Sequence, residues 1–565
     1  MSPLQIASRG MYKVLSVVGR EMKGMHEAAY MLAAFALLSQ LLGLFRDRLF
    51  AAEFGASHTL DLYYAAFRMP DFLFATVASL LSLYALLPVL SRLEARADGL
   101  AVAFLRRALF VFFVGMGVIS VVAFFLAPVI MPILAPGLNS ADLVVLTRIL
   151  LLQPILLGAS NVVASLTQMR HRFFLYATSP LLYNLGIIIG ILVFYPQLGV
   201  SGLGWGVVLG AALHLLVQLP FFIKEGRAPL YFKETLRDLY EVLTLSVPRT
   251  LALAAGQLSL LILVAVASLL AVGSISVFMF AWNLQSVPLA IIGVSYSVAA
   301  FPTLARLFAQ GAHSEFVTHV EGALRHILFW AIPATIFVIV LRAQLVRVIL
   351  GAGAFDWSAT KLVAAALSLL VVSLAAQSVS MLVARGYYAA GNTRKPVYFG
   401  LIDLVVSVGS ALVLLRLFEW SSEMREFLQI LLRVDDVVGA SVLMLALGLS
   451  VGSIIKCVVG LSYFVRDFSI PSSGLWRVFI QGLCAAIVGG AVSYTTLSTV
   501  GGAFNINTLA GVLGEGMLAG IVGITTTVVV LALLKNKELL ETAGALRRRF
   551  RDAPPVALEP TDISS

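Results

Sequence analysis

The chain has 565 residues, of which 60% are apolar and only 12% are charged, with a mean hydropathy of +0.98 and a formal net charge of +10. An ordinary soluble domain carries about 25% charged residues, so this composition excludes a soluble protein. The basic residues are scattered between apolar runs instead of clustering with aromatic residues, which argues against nucleic acid as a partner.

Residues 1–27 mix apolar and basic side chains and lack the compact apolar core and A-x-A site of a cleaved signal peptide. We expect them to form a cytoplasmic lead-in. From residue 28 onward, apolar runs reach the length of about 20 residues that a helix needs to cross a bilayer. The sequence therefore predicts an all-α polytopic membrane protein. The fourteen predicted transmembrane helices lie near residues 28–50, 61–90, 108–134, 143–168, 174–195, 201–223, 242–270, 276–302, 327–350, 361–384, 397–416, 440–465, 478–498 and 511–534.

The basic residues alternate between the two sides of this predicted topology. Of the 39 Lys and Arg residues, 27 lie in the eight inner segments and two, Arg425 and Arg433, lie in the outer loops. Because positive charge favours the cytoplasmic side, both termini of this inner-membrane protein are predicted to be cytoplasmic. The largest outer connection, 417–439, is predicted to hold a short amphipathic helix on the periplasmic surface.

Two pairs of segments recur at nearly the same offset along the chain. Span two ends with LLPVLSRL and span eight with AFPTLARL, so Pro88 and Pro302 are 214 residues apart, and Arg170 and Arg385 are 215 apart. This indicates a duplicated six-span unit in two parallel repeats, as in two-lobed transporters, with the substrate in the cleft between the lobes. The predicted lobes are 28–223 and 224–465. Two further helices fill 466–535, and 536–565 is a cytoplasmic tail.

Several ionisable residues fall inside predicted spans, where each costs at least about 2.5–3.5 kcal/mol unless it faces a cavity or a partner. Arg249, Asp403 and Lys456 have no opposite charge nearby in the sequence. Both a water-filled cavity and local pairing or snorkelling to an interface remain open for them. The others stand at the end of span one and the start of span two: Arg46, Asp47, Arg48 and Asp61.

No HExxH, Walker loop, CxxC or GxSxG motif occurs in the chain. Outer loops of mostly 5 to 12 residues leave little room for the larger extracytoplasmic domain that a polytopic glycosyltransferase or ligase usually carries. The sequence therefore predicts a transporter that is not an enzyme, with no metal site and no cofactor.

Six collinear segments together resemble the MviN/MurJ family of lipid II flippases, in the multidrug/oligosaccharidyl-lipid/polysaccharide exporter superfamily. They are SQLLGLFRDRLFAAEFGAS (39–57), DLYYAAFRMPDFL (61–73), RFFLYATSPLLYNLGIIIG (172–190), GVSGLGWGVVLGAALHLLVQLP (199–220), GVSYSVAAFPTLARL (293–307) and ARGYYAAGNTRKPV (384–397). The resemblance covers roughly residues 30–535 and implies two six-helix lobes around a central cationic cavity. Two extra helices would form a lipid-facing groove.

The function implied by this resemblance is movement of a lipid-linked peptidoglycan precursor, lipid II, from the inner to the outer leaflet. The implied partners are a lipid-linked anionic glycan, the phospholipid bilayer and the cell-wall synthesis machinery. A pyrophosphate-linked sugar does not cross about 30 Å of hydrocarbon unaided. Arginine suits this cargo because its guanidinium forks around phosphate oxygens. Movement would be driven by membrane potential or by an ion gradient.

The resemblance also assigns residues. Arg46 and Asp47 match the family's Arg-Asp in the first helix, and Asp61 matches its acidic residue at the start of the second. Asp403 is the acidic side chain placed to serve a sodium site like that of some family members. Arg249 and Arg68 are candidates for replacing lost charge. Three positions where the family has a cavity arginine hold other residues here: Gln40, Phe74 and Asn283.

These losses keep three alternatives open. The chain would be an exporter of another undecaprenyl-linked glycan, a drug or ion antiporter of the same superfamily, or a non-transporting membrane scaffold that kept the fold.

Overall fold

A computed structural model describes residues 25–81, 83–96, 99–138, 140–224, 232–505 and 508–551, and within them the chain forms helices and no β-strand. The first twelve α-helices are α1 Met25–Phe54, α2 His58–Ala66, α3 Arg68–Thr76, α4 Leu83–Arg96, α5 Leu100–Leu134, α6 Ala141–Leu150, α7 Leu152–Met169, α8 Phe173–Ile189, α9 Tyr195–Leu198, α10 Val200–Leu216, α11 Leu219–Lys224 and α12 Phe232–Ser268.

The remaining α-helices are α13 Ser274–Leu289, α14 Ser295–Ala309, α15 His313–Val340, α16 Arg342–Leu350, α17 Trp357–Val371, α18 Leu374–Ala389, α19 Arg394–Trp420, α20 Ser422–Leu432, α21 Leu443–Phe468, α22 Ser472–Val500, α23 Leu509–Leu533 and α24 Lys537–Arg551. Short 3₁₀ turns cover Ala78–Leu81, Pro136–Leu138, Ala440–Val442 and Gly501–Ala503, and π-helical turns cover Gly190–Phe194 and Ala290–Val294.

These helices confirm an all-α polytopic membrane protein. Within the described residues, eleven helical stretches are long and apolar enough to cross a bilayer, and α17 with α18, bent by 44° at their junction, make a twelfth. The helix α1 covers the first predicted span, and the shorter apolar α10 covers the sixth. The predicted count of fourteen is consistent with this set.

The second predicted span, 61–90, is not one continuous helix. The chain runs through α2, α3, a 3₁₀ turn and α4 instead. Pro70 lacks the N–H of a helical residue. The hydroxyls of Thr76 and Ser79 bond to the carbonyls four residues earlier, a contact that tends to bend a helix. Arg68 therefore stands on a separate short helix.

Two helices of the amino-terminal part pack at very short distance through glycines. A methyl group on Gly186 would collide with the backbone of Gly210, and one on Gly190 would collide with Gly206. The glycine-rich run 201–210 is thus a helix-packing surface, where small residues let helix backbones approach closely. The contact fixes α8, whose polar residues Tyr183 and Asn184 belong to the candidate site.

The predicted amphipathic helix within 417–439 is confirmed as α20. Its capping residue Ser421 accepts a hydrogen bond from the Met424 amide. Phe427, Ile430 and Leu431 are exposed along the helix. The side of the membrane on which α20 lies stays a prediction.

The described residues form two compact units, each built from more than one stretch of chain. The first contains the described residues up to Val287 together with Leu345–Ser373 and Gly391–Gly460. The second contains Pro288–Gln344, Leu374–Ala390 and the described residues from Leu461 onward. The division into two six-helix lobes, two extra helices and terminal segments, drawn from the sequence repeat, stays a prediction.

Each unit has its own apolar core. In the first, Leu86, Leu90, Leu105 and Val162 are fully buried between α4, α5 and α7. In the second, α22 packs against α15 and α23, and Ala485 is buried there beside Phe329. The α15 helix begins at His313, before the predicted span at 327.

Candidate substrate-binding site

A cavity of about 230 Å³ lies within the first unit, among α1, α2, α3, α7, α8 and α13. Its wall combines charged, polar and apolar side chains. The charged ones are Arg46, Asp47, Arg68 and Asp71; the polar ones are Tyr63, Tyr64, Gln153, Tyr183 and Asn283; and the apolar ones are Phe50, Phe67, Ile187 and Met279. The two arginines and two aspartates give the described wall a formal charge of zero, whereas the family resemblance implied a cationic cavity.

Arg46 and Asp47 form the tighter of the two ion pairs. The Nε and Nη2 atoms of Arg46 donate to Oδ1 of Asp47 at 3.0 and 2.8 Å, and its Nη1 donates to Oδ1 of Asn184 at 3.0 Å. The other oxygen of Asp47 accepts from Nδ2 of Asn283 at 3.1 Å. The structure therefore brings the two motif residues of α1 together with polar residues of α8 and α13.

The second ion pair joins Arg68 and Asp71, three residues apart on α3. Nη2 of Arg68 lies 3.6 Å from Oδ2 of Asp71, and its Nε donates to the carbonyl of Tyr64 at 3.1 Å. Sequence reasoning named Arg68 only as a replacement for lost charge and missed Asp71. The signal was present, because an i,i+3 spacing places an Arg and an Asp on the same helix face.

Asp61 lies apart from the cavity wall. Its carboxylate accepts from the backbone amides of Gly273 and Ser276 at 2.6 and 2.7 Å, and from the Ser276 hydroxyl at 2.6 Å. The side chain is buried by these contacts. This geometry supports a role in holding the start of α13 and does not support direct contact with a substrate.

Arg48 and Arg249 are the other arginines from the sequence analysis. Nη1 of Arg48 donates to the carbonyls of Val348 and Ile349 at 2.7 and 3.2 Å, at the end of α16, where carbonyls lack helical partners. Arg249 lies on α12, and its side chain is outside the described residues. Its assignment to the substrate site stays a prediction.

Asp403 and Lys456 pair with each other within the membrane-spanning helices α19 and α21. Nζ of Lys456 lies 3.0 Å from Oδ2 of Asp403. The partner was missed from the sequence because it is 53 residues away. The helices approach closely at two glycines, since a methyl on Gly448 would collide with Ala411 and one on Gly452 with Ser407. One carboxylate oxygen of the predicted sodium ligand is thus paired with the Lys456 ammonium group.

Of the three positions where the family's arginines are replaced, Asn283 lines the cavity and Gln40 and Phe74 do not. Asn283 donates to Asp47, so a neutral amide stands against the carboxylate. Sequence reasoning also missed the cavity residues Tyr183 and Gln153. A polar residue in an apolar helix was the available signal for both.

The sequence and the fold were compared with known proteins. A family model described as Lipid II flippase MurJ matches residues 50–512. The lipid II flippase MurJ of Burkholderia cenocepacia is 28% identical over 473 residues, which cover 81% of this chain and 87% of that protein. The probable lipid II flippase MurJ of Thermotoga maritima is 28% identical over 398 residues, which cover 68% of this chain and 78% of that protein.

Solved structures share the fold. A lipid II flippase MurJ in an inward closed conformation matches with a TM-score of 0.68 at 20% identity, covering 90% of this chain and 100% of that one. An inward-facing multidrug resistance MATE family transporter matches with a TM-score of 0.61 at 15% identity, covering 78% of this chain and 98% of that one. At these identities the likenesses show the fold alone.

Proposed function

The chain belongs to the MurJ family of lipid II flippases, and from this premise we propose that it moves a lipid-linked peptidoglycan precursor, lipid II, from the inner to the outer leaflet of the cytoplasmic membrane. The observation that carries the proposal is the match to the family model over residues 50–512. The placement of the motif residue Arg46 in a polar cavity of the first unit supports it.

The cavity offers the chemistry that the polar head of such a substrate needs. A pyrophosphate loses its hydration when it enters the membrane, and a guanidinium replaces water through two parallel N–H···O bonds. Aromatic and amide side chains such as Tyr63, Tyr183 and Asn283 offer surfaces and hydrogen bonds to sugar rings. The polyprenyl tail stays in the lipid, so the cavity needs to shield only the head group.

The proposed function also includes an energy source for transport and an orientation of the protein in the membrane. The protein acts as a transporter and not as an enzyme, without a cofactor, and membrane potential or an ion gradient drives the transport cycle. A sodium ion at Asp403 would compete with the Lys456 ammonium for this carboxylate. Both termini lie in the cytoplasm, as the distribution of Lys and Arg predicts, and the outer-leaflet product is used by the cell-wall synthesis machinery.

A drug or ion antiporter is the second candidate. One observation favours it: the wall of the cavity is formally neutral. An exporter of another undecaprenyl-linked glycan would use the same contacts to phosphate, and a membrane scaffold would use none.

A flipping assay in sealed vesicles separates these functions. Purified full-length protein is reconstituted with fluorescent lipid II, with an undecaprenyl-linked glycan of different sugar composition, or with a cationic dye. We expect protein-dependent movement of lipid II in preference to the other two cargoes. Movement of only the second glycan or only the dye would replace the proposal with the matching alternative, and movement of none would favour the scaffold.

A further inference from the structure

The two ion pairs of the cavity differ in length, in exposure and in the other hydrogen bonds that hold the carboxylate. Asp47 is buried, accepts from Arg46 at 2.8 and 3.0 Å, and is held on its other oxygen by Asn283. The Asp71 side chain is 30% exposed and stands 3.6 Å from Arg68, whose own side chain is 5% exposed. The Asp71 carboxylate, which also faces the Gln153 side chain, is therefore more exposed than Asp47 and is joined to its arginine by a longer contact.

Arg68 is fixed in place independently of Asp71. Its Nε donates to the Tyr64 carbonyl of α2 at 3.1 Å, so this bond does not use the terminal nitrogens, of which Nη2 faces Asp71. A substrate anion that reaches this guanidinium meets a carboxylate already beside it. An anion that binds there competes with Asp71 for the guanidinium, because two anions close together repel each other.

We propose that Asp71 is an internal competitor of the substrate phosphate for Arg68, so that an anionic head group binds by displacing Asp71 and leaves when Asp71 returns to the arginine. This inference rests on the proposed function and adds a residue that sets affinity. A competitor of this kind weakens binding of the anion and speeds its release. It also rejects neutral ligands, which cannot displace a carboxylate from an arginine.

Two buried polar atoms in the same wall point to the chemistry of the rest of the ligand. Among the described residues, the Tyr64 hydroxyl and the Gln153 side-chain oxygen have no hydrogen-bond partner, and both side chains are buried. Buried polar groups are nearly always satisfied, so each atom is a candidate partner for a ligand that enters the cavity. The Tyr64 hydroxyl is a donor that suits an anionic oxygen, and Gln153 Oε1 is an acceptor that suits a hydroxyl or amide N–H. A phosphorylated sugar carries both groups.

The test compares binding of inorganic pyrophosphate to full-length protein in lipid nanodiscs at low ionic strength. In the Asp71→Asn protein the competitor is removed, and we expect binding about tenfold tighter than wild type. The matched control is Asp142→Asn, the same change at an exposed carboxylate outside the cavity, for which wild-type affinity is expected. Unchanged or weaker binding by Asp71→Asn would overturn the proposal.

A second variant covers the case in which Asp71→Asn folds poorly with Arg68 unpaired. The Arg68→Gln/Asp71→Asn protein lacks both charges. We expect it to bind pyrophosphate more weakly than the Asp71→Asn protein does. Pyrophosphate should also raise the unfolding temperature of Asp71→Asn by more than it raises that of wild type. Equal affinity of the double and single variants would exclude Arg68 as the contact. Failure of the proposed function would appear separately, as wild-type vesicles that move no lipid-linked glycan.

Discussion

Asp61 accepts two hydrogen bonds from Ser276, one from the backbone amide at 2.7 Å and one from the hydroxyl at 2.6 Å. Its other oxygen accepts from the Gly273 amide at 2.6 Å. The first amides of a helix have no partner within the helix, and a negative charge there is favourable for the helix dipole. Asp61 thus caps α13 from α2 and fixes the helix that carries Asn283 into the cavity wall.

Replacing this cap should cost stability and not affinity. In Asp61→Ala the charge-assisted hydrogen bonds, each worth about 1.5–3 kcal/mol, are lost and the amides of Gly273 and Ser276 are left without an acceptor. We expect a lower unfolding temperature for the purified protein, with an intermediate value for Asp61→Asn, which keeps an acceptor oxygen. Pyrophosphate affinity of the folded fraction should remain close to wild type. A stable Asp61→Ala protein that no longer binds would instead make Asp61 a substrate contact.

The helical architecture was predictable because it depends on local properties of the sequence. Runs of apolar residues identify helices of membrane length, and these runs are read directly from the sequence. The break at Pro70 was harder to predict, because membrane helices often tolerate proline without interruption. Whether a proline breaks a span depends on neighbouring hydroxyls such as Ser79, and on packing that the sequence does not state.

The candidate site was predictable only in part. Arg46 and Asp47 are adjacent in the sequence and match a motif, so they could be named together. The contacts from Asn184 and Asn283 come from helices far along the chain, and they depend on tertiary packing. Asp403 shows the same limit: its carboxylate was identified as an ion ligand, but its partner Lys456 is brought near by the packing of α19 against α21.

The pair between Lys456 and Asp403 predicts how sodium acts on this protein. Lys456→Met removes the ammonium and leaves a carboxylate uncompensated in the membrane, a change that strongly destabilises a protein when an ion pair is buried. We expect a lower unfolding temperature for the variant, and a rise when Na⁺ replaces choline at constant ionic strength. The wild-type unfolding temperature should not respond to Na⁺. A clear sodium response of the wild type would show that the ion competes successfully with Lys456.

The predicted orientation is tested by labelling single cysteines. In a background with both native cysteines, Cys457 and Cys484, replaced by alanine, one cysteine is placed at Ser422 or at Gln310. Both sites are exposed in the structure, and Ser422 is preferred over Ser421 because Ser421 caps α20. An impermeant maleimide should label position 422 in intact spheroplasts and position 310 only after lysis. The reverse pattern would refute the topology.

The last prediction concerns Arg46, the one arginine of the family motif that lines the cavity. Its three guanidinium nitrogens donate to Asp47 and Asn184, so the side chain either serves the substrate or only ties α1 to α8. Arg46→Gln keeps a hydrogen-bond donor for Asp47, but it removes the positive charge and the planar guanidinium that binds two phosphate oxygens at once. Losing a charge-assisted bond to phosphate costs about 1.5–3 kcal/mol, or roughly tenfold to a hundredfold in affinity.

We therefore expect Arg46→Gln to lose nearly all transport while its abundance in the membrane stays at the wild-type level, and Arg46→Lys to retain part of it, since lysine keeps the charge without the planar fork. The matched control is Arg416→Gln at the end of α19, where the arginine side chain is 86% exposed and pairs with the exposed Glu419; surface pairs of this kind contribute about 0–1 kcal/mol. Transport in vesicles and pyrophosphate binding are measured for each protein.

If Arg46 only joins helices, Arg46→Gln would lower the unfolding temperature and leave transport per folded molecule intact. Wild-type transport by a stable Arg46→Gln protein would remove Arg46 from the substrate site.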